Sequence, residues 1–156
     1  MSLEQIHYQK PKLTDIPQMQ AIVAKDVESG VILPRSDDEI ATNIRSYIVA
    51  RQGDRIVGYV ALHIHSSRLA EVRSLIVEES MRGHGIGRRL VELALEEGRG
   101  LAVKEVLALT YSKEFFERLG FHEIQKSDIP EHKIWQDCIN CKHFPVCNEV
   151  AMMHEL

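Results

Sequence analysis

The strongest chemical signal in the chain is Arg82-Gly83-His84-Gly85-Ile86-Gly87-Arg88-Arg89, in which three glycines and three arginines crowd one corner. Glycine lets backbone N–H groups converge on one point, and a helix starting there adds partial positive charge. With arginines beside it, such a turn suits a polyphosphate. The spacing narrows the ligand. A nucleotide P-loop needs Gly-Lys-Ser/Thr after its glycines, and none follows here. The dinucleotide fingerprint is G-x-G-x-x-G, and Gly83-x-Gly85-x-Gly87 is one residue short of it. Read from Arg82, the pattern is R-x-x-G-x-G. A plain glycine turn between a core strand and a core helix is the bland alternative.

Candidate acid–base and anion-binding groups lie elsewhere. Glu71 and Arg73 stand two apart on a strand-like run, so they share a face. His63 and His65, two apart on the preceding strand, also face one way and can relay a proton, although a polar sheet face accounts for them equally well. Arg35 precedes Ser36-Asp37-Asp38-Glu39, an S-x-x-E capping box whose free N–H groups favour an anion. Near the C-terminus, Cys138-x2-Cys141-x5-Cys147 encloses His143, with His132 upstream. Thiolates at this spacing with one histidine can hold zinc, but the second pair of a zinc ribbon is missing. Reduced thiols on a C-terminal flap over the substrate pocket are the other reading.

The elements that must position these groups follow from periodicity and punctuation. Ile6–Lys10 reads as a first strand, and Thr14 as the N-cap of a helix reaching Lys25, with Ile16, Met19, Ile22 and Val23 at helical spacing. Ser36 caps a second helix. Ser46–Ala50 and Arg55–His65 form a hairpin around Gln52-Gly53-Asp54, and Ser66-Ser67-Arg68 turns into the Glu71–Val77 strand. The helix after the glycine turn runs from Gly85 to about Glu97, with Gly98 and Gly100 ending it. Val103–Leu109 is the next strand, and the helical crossover predicts that it pairs parallel with Glu71–Val77. A short helix over Ser112–Leu119 and a strand launched by Gly120-Phe121 follow. The tail from Ser127 reads as less regular. The meander before the glycine turn speaks against a Rossmann domain, where that turn normally follows the first strand of a parallel unit.

R-x-x-G-x-G after a strand ending Leu75-Ile76-Val77, in this order of elements, resembles the acetyl-CoA signature of the GNAT N-acetyltransferases. The resemblance implies an α/β (α+β) fold with a mixed, mostly antiparallel central sheet, flanked by helices and splayed at the acetyl-CoA site. It covers residues 1–126 as the acetyltransferase domain, with 127–156 as a cysteine-containing tail packed on it. It implies that Arg82, Gly83, His84, Gly85, Ile86, Gly87 and Arg88 clasp the pyrophosphate, and that Ile76 and Val77 pair with the pantetheine. Glu71 is then the base that frees an amine to attack the thioester. Phe115-Phe116…Gly120-Phe121 matches the segment that usually carries a tyrosine acid, but Phe116 stands in its place. Tyr111, Ser112 or water is left to protonate the thiolate.

Leu33-Pro34-Arg35-Ser36-Asp37-Asp38-Glu39-Ile40, Ala70-Glu71-Val72-Arg73-Ser74-Leu75, Ala108-Leu109-Thr110 and the tail Trp135…Cys138…Cys141 together resemble the short, stand-alone N-acetylglutamate synthases of bacterial arginine synthesis. That resemblance implies L-glutamate as the acetylated amine. Its two carboxylates call for cationic, preferably bidentate donors, and Arg35, Arg73 and Lys133 are the candidates.

Composition bounds the rest. A chain of 156 residues, 44% hydrophobic and 27% charged, fits one soluble domain. A net charge of −4 argues against nucleic acid, and no apolar run approaches membrane-spanning length. Three cysteines, odd in number and all at or beyond position 138, do not make a disulfide framework. The expectation is a cytoplasmic acetyltransferase, with a homodimer permitted. The alternatives are transfer to another small amine or a protein N-terminus, or a non-catalytic acyl-CoA sensor.

Overall fold

The computed structural model describes residues 5–30, 32, 34–129 and 149–156. The strands are β1 (Ile6–Gln9), β2 (Tyr47–Gln52), β3 (Arg55–Ile64), β4 (Leu69–Val77), β5 (Glu105–Thr110), β6 (His122–Ile124) and β7 (Val150–Glu155). The helices are α1 (Ile16–Glu28), α2 (Asp37–Thr42), α3 (Ile86–Gly100) and α4 (Lys113–Glu117). The strands form one sheet in the order β1-β2-β3-β4-β5-β7-β6. Every pairing is antiparallel except β4 with β5, the parallel pair that the crossover through α3 requires.

Both faces of the sheet are covered, which is why β3 is buried without alternation from Ile56 to Leu62. On one face Leu90, Val91, Ala94 and Leu95 of α3 pack against Val57, Val60, Leu62, Ala70 and Val72. On the other, Ile16, Met19 and Val23 of α1 and Ile40 of α2 pack against Val49, Tyr59, Ala61 and Ile76.

The regular alternation breaks once in β4. Ala61 pairs with Arg73 and Tyr59 with Ile76, so three steps on β4 match two on β3. The extra residue is a bulge at Ser74, whose φ of 59° is left-handed and unusual for a residue other than glycine. Ala70 and Val72 face α3, and beyond the bulge Leu75 and Val77 do so while Ile76 faces α1. Gly58 of β3 lies opposite this region, where a Cβ would stand 3.0 Å from the Ile76 carbonyl oxygen.

Three expectations are corrected. The cap of α1 is Asp15, not Thr14. Asp15 accepts the Lys12 N–H at 2.7 Å and pairs with Arg51, and Leu13–Asp15 forms a 3-10 turn before Pro17 enters the first helical turn. Gly98 does not end α3. It lies inside the helix, where a Cβ would meet the Leu156 side chain at 3.1 Å, so it is there for close approach. The end of the tail is regular, because Val150–Glu155 forms β7 between β5 and β6.

Candidate active site

β4 and β5 pair only through Leu69–Glu105, Ala70–Val106 and Glu71–Leu107. Both strands run on, to Val77 and Thr110, without pairing further. β5 keeps its partner on the other side, where Leu109 pairs with Ala151 and Thr110 with Val150. The gap is a cleft of about 750 Å³. It is lined on one wall by Glu71–Val77, on the other by Leu109–Ser112, and at its end by the glycine turn and the start of α3.

The turn has a geometry that suits an anion. Gly83 and Gly85 both have φ of 82°, a conformation glycine adopts without a Cβ penalty. Gly85 is the N-cap of α3, a helix of 15 residues with no side-chain cap, so the first-turn N–H groups and the helix dipole point outward. Buried Met81 anchors the preceding turn, and Arg82 Nε donates to the Val77 carbonyl at 2.9 Å. Arg82, Gly83, Gly85, Ile86, Gly87 and Arg88 all line the cleft, as do Ile76 and Val77. His84 is exposed and is not part of this lining.

At the point where the strands part stands Glu71, 5% exposed. Its Oε1 is 2.8 Å from His65 Nε2 and 3.4 Å from Arg73 Nη1. A buried carboxylate is costly without such partners. Arg73 shares the face of Glu71, as alternation requires. Arg35 lines the same cleft beside the capping box of α2, in which the Glu39 N–H donates to Ser36 Oγ at 3.1 Å. Its backbone carbonyl accepts from Gln20 Nε2 at 2.8 Å, and its Nη1 lies 3.8 Å from Glu39. Burial pushes the Tyr47 phenol above its ordinary value, while Arg35 and Arg73 both pull it down. The two arginines therefore act on one neighbourhood although they are far apart in sequence.

Tyr111 is exposed on the β5 wall next to Ser112, whose N–H is held by Thr110 Oγ1 at 2.8 Å. Phe116 is 5% exposed and stacks edge-on with Phe115 and Phe121, each at 5.1 Å. That position is thus a rung of the core that also touches the cleft, and the nearest tyrosine hydroxyl on this wall is Tyr111's. Ser74 and Tyr47 were not among the candidate site residues of the sequence. The local signal for Ser74 is the adjacent polar pair Arg73-Ser74, which interrupts the alternation of Leu69–Val77. Lys133, Cys138, Cys141, His143 and Cys147 lie outside the described residues. No group of His, Cys, Asp and Glu able to hold a metal occurs among the described residues.

Known proteins share this architecture. The family model described as "Acetyltransferase (GNAT) family" matches residues 15–121. An uncharacterised N-acetyltransferase of Chlorobaculum tepidum is 40% identical over 149 residues, 93% of each chain. The amino-acid acetyltransferase of Mycobacterium tuberculosis is 32% identical over 124 residues, 77% of this chain and 70% of that one. Among solved structures, N-acetylglutamate synthase from Neisseria gonorrhoeae, complexed with coenzyme A and N-acetyl-glutamate, matches with a TM-score of 0.87 at 22% identity. The match covers 97% of this chain but 35% of the gonococcal one. A Mycobacterium tuberculosis protein in complex with CoA matches with a TM-score of 0.81 at 25% identity, over 96% of this chain and 99% of that chain.

Proposed function

Because the chain belongs to the acetyltransferase (GNAT) family, we propose that the amine it acetylates is the α-amine of L-glutamate, in a cytoplasmic step toward arginine. That it is an acetyl-CoA-dependent N-acetyltransferase follows from the family. The observation that carries the substrate is the placement of Arg35 and Arg73 in the cleft that holds Glu71. Two guanidinium groups there match a substrate with two carboxylates. The name of the Mycobacterium tuberculosis relative, an amino-acid acetyltransferase, agrees in class.

In this reading acetyl-CoA enters with its pyrophosphate on the turn from Arg82 to Arg88. Its pantetheine lies along the β4 edge that β5 leaves unpaired, and backbone N–H groups there polarise the thioester carbonyl. Glu71 takes a proton from the substrate ammonium, and the freed amine attacks the carbonyl carbon, forming the N–C bond. As the C–S bond breaks, the nitrogen's second proton passes to the leaving thiolate, directly or relayed by Tyr111, Ser112 or water.

The test is free-CoA release with glutamate against a panel of amino acids, polyamines and peptides. Selective turnover of glutamate is expected. Turnover of another amine alone removes the substrate assignment and keeps the reaction. Binding of acetyl-CoA without any turnover points to an acyl-CoA sensor.

A further inference from the structure

The geometry points to His65 as a positioning residue for Glu71, an inference that rests on the reading of Glu71 as the base. The Glu71 carboxylate is held at one oxygen from two sides. His65 Nε2 is 2.8 Å from Oε1, and Arg73 Nη1 is 3.4 Å from the same atom. Oε2 takes no hydrogen bond among the described residues, and the residue lines the cleft. The sheet neighbours complete the surroundings: His63 lies opposite Glu71 on β3, and apolar Leu107 opposite it on β5.

His65 is fixed before any substrate arrives. Its backbone N–H donates to the Leu69 carbonyl at 2.9 Å, and Ser66 Oγ accepts from Arg68 and Leu69, closing the turn between β3 and β4. The His63 ring packs edge-on against it at 4.7 Å. The side chain is 2% exposed, and its Nδ1 has no partner among the described residues. An imidazole retained only for packing does not need a buried nitrogen with an unmet hydrogen bond. The contact it does make is with Glu71.

The carboxylate assigns the tautomer. Two lone pairs cannot face each other at 2.8 Å, so when Glu71 is ionised Nε2 carries a hydrogen and donates it. Donation to Oε1 stops the carboxylate from rotating, which leaves Oε2 as the oxygen that faces a substrate. In the reaction the substrate N–H bond breaks and an O–H bond forms at Oε2, while His65 keeps its own proton. His65 acts through Glu71 and touches no reacting atom.

Variants at position 65 separate this role from a structural one. Gln places an amide nitrogen near the site of Nε2, Asn is too short to reach it, and Leu has no donor. His65→Leu and His65→Asn should lose about 10- to 100-fold in kcat, the usual cost of removing an outer-shell partner. Their acetyl-CoA KM should stay near wild type. His65→Gln should recover most of the rate.

Wild-type rate in both Leu and Asn variants overturns the inference. So does a loss shared equally by Gln, Asn and Leu, which is the mark of a structural residue. Thermal melting checks folding, and if His65→Leu does not fold, the Gln–Asn comparison decides. Glu71→Gln runs alongside, with the amine that turns over best. Full activity there removes the base assignment itself, whereas its loss with unaffected position-65 variants removes only the role of His65.

Discussion

Arg82 Nε donates to the carbonyl of Val77 at 2.9 Å, so one hydrogen bond ties the glycine turn to the last residue of β4. The same guanidinium lies 3.8 Å from Asp26 on α1. Arg82 therefore couples the glycine turn to the β4 edge along which, in the proposed reading, the thioester arm lies. Arg82→Ala should raise the KM for acetyl-CoA about tenfold or more, in line with the worth of a charge-assisted hydrogen bond, with the amine KM nearly unchanged. Lysine should restore little, because a point charge cannot serve a carbonyl and a phosphate from one planar fork. Initial rates with each substrate varied in turn measure this, and an unchanged acetyl-CoA KM would remove Arg82 from that role.

Ser74 sits at φ 59° where β4 gains its extra residue opposite β3. A β-branched residue is strained in that conformation, whereas glycine is at ease there. Ser74→Val should destabilise the fold by about 1–3 kcal/mol, and Ser74→Gly should sit near wild type. For a chain of this length the valine loss corresponds to a Tm lower by several degrees, roughly 2–4 °C per kcal/mol. The bulge also sets which β4 residues face the cleft, so valine should lose acetyl-transfer activity beyond its loss of stability. Equal melting temperatures for valine and glycine variants would show that the backbone there carries no strain.

The features legible in the sequence were those encoded over a few residues. The strand, glycine turn and helix from Glu71 to Leu90 form a continuous pattern, and the Ser36–Glu39 capping box is complete within four positions. Arg35 and Arg73 could be nominated as cations, but only the packing of α1 and α2 on the sheet brings both beside Tyr47. β7 escaped notice because Val150–Glu155 has no flanking turn signal, and its pairing with β5 and β6 is non-local. The bulge was hidden because the adjacent polar residues Arg73 and Ser74 break the alternation without showing that an extra residue stands there, which only the pairing with β3 reveals. Gly98 read as a helix stop because its true neighbour, Leu156, is remote in sequence.

Asp15 and Arg51 form an ion pair at 2.5 Å between the start of α1 and β2. Burial pushes the Asp15 carboxyl up, but the hydrogen bond from Arg51, the Lys12 N–H and the charges of Arg51 and Lys12 outweigh it, and its pKa lies below 3.8. A pKa lowered by folding contributes stability that is complete above the unfolded value and is lost as pH falls through the folded one. Wild type should therefore lose this contribution progressively below pH 3.8. Asp15→Asn should melt lower at neutral pH and show a flatter decline in acid. Thermal melts from about pH 7 to about pH 2.5 test the sign. Parallel curves for the two proteins would mean that the pair adds nothing to stability.

Arg35 enters the cleft from the residue before a capped helix, held through its backbone carbonyl by Gln20 and mostly shielded from water. Its guanidinium is 3.8 Å from Glu39, too long for a strong hydrogen bond. Replacement by alanine should raise the glutamate KM about tenfold, the equivalent of roughly 1.4 kcal/mol, while the acetyl-CoA KM holds. kcat should fall less than the KM rises, because a carboxylate contact distant from the thioester is made equally in the ground and transition states. Glutamine as substrate supplies the control. If glutamate is the substrate and Arg35 meets its side-chain carboxylate, the variant should discriminate far less between glutamate and glutamine than wild type does. If it meets the α-carboxylate, both substrates should weaken together. Unchanged constants for both would take Arg35 out of the amine site.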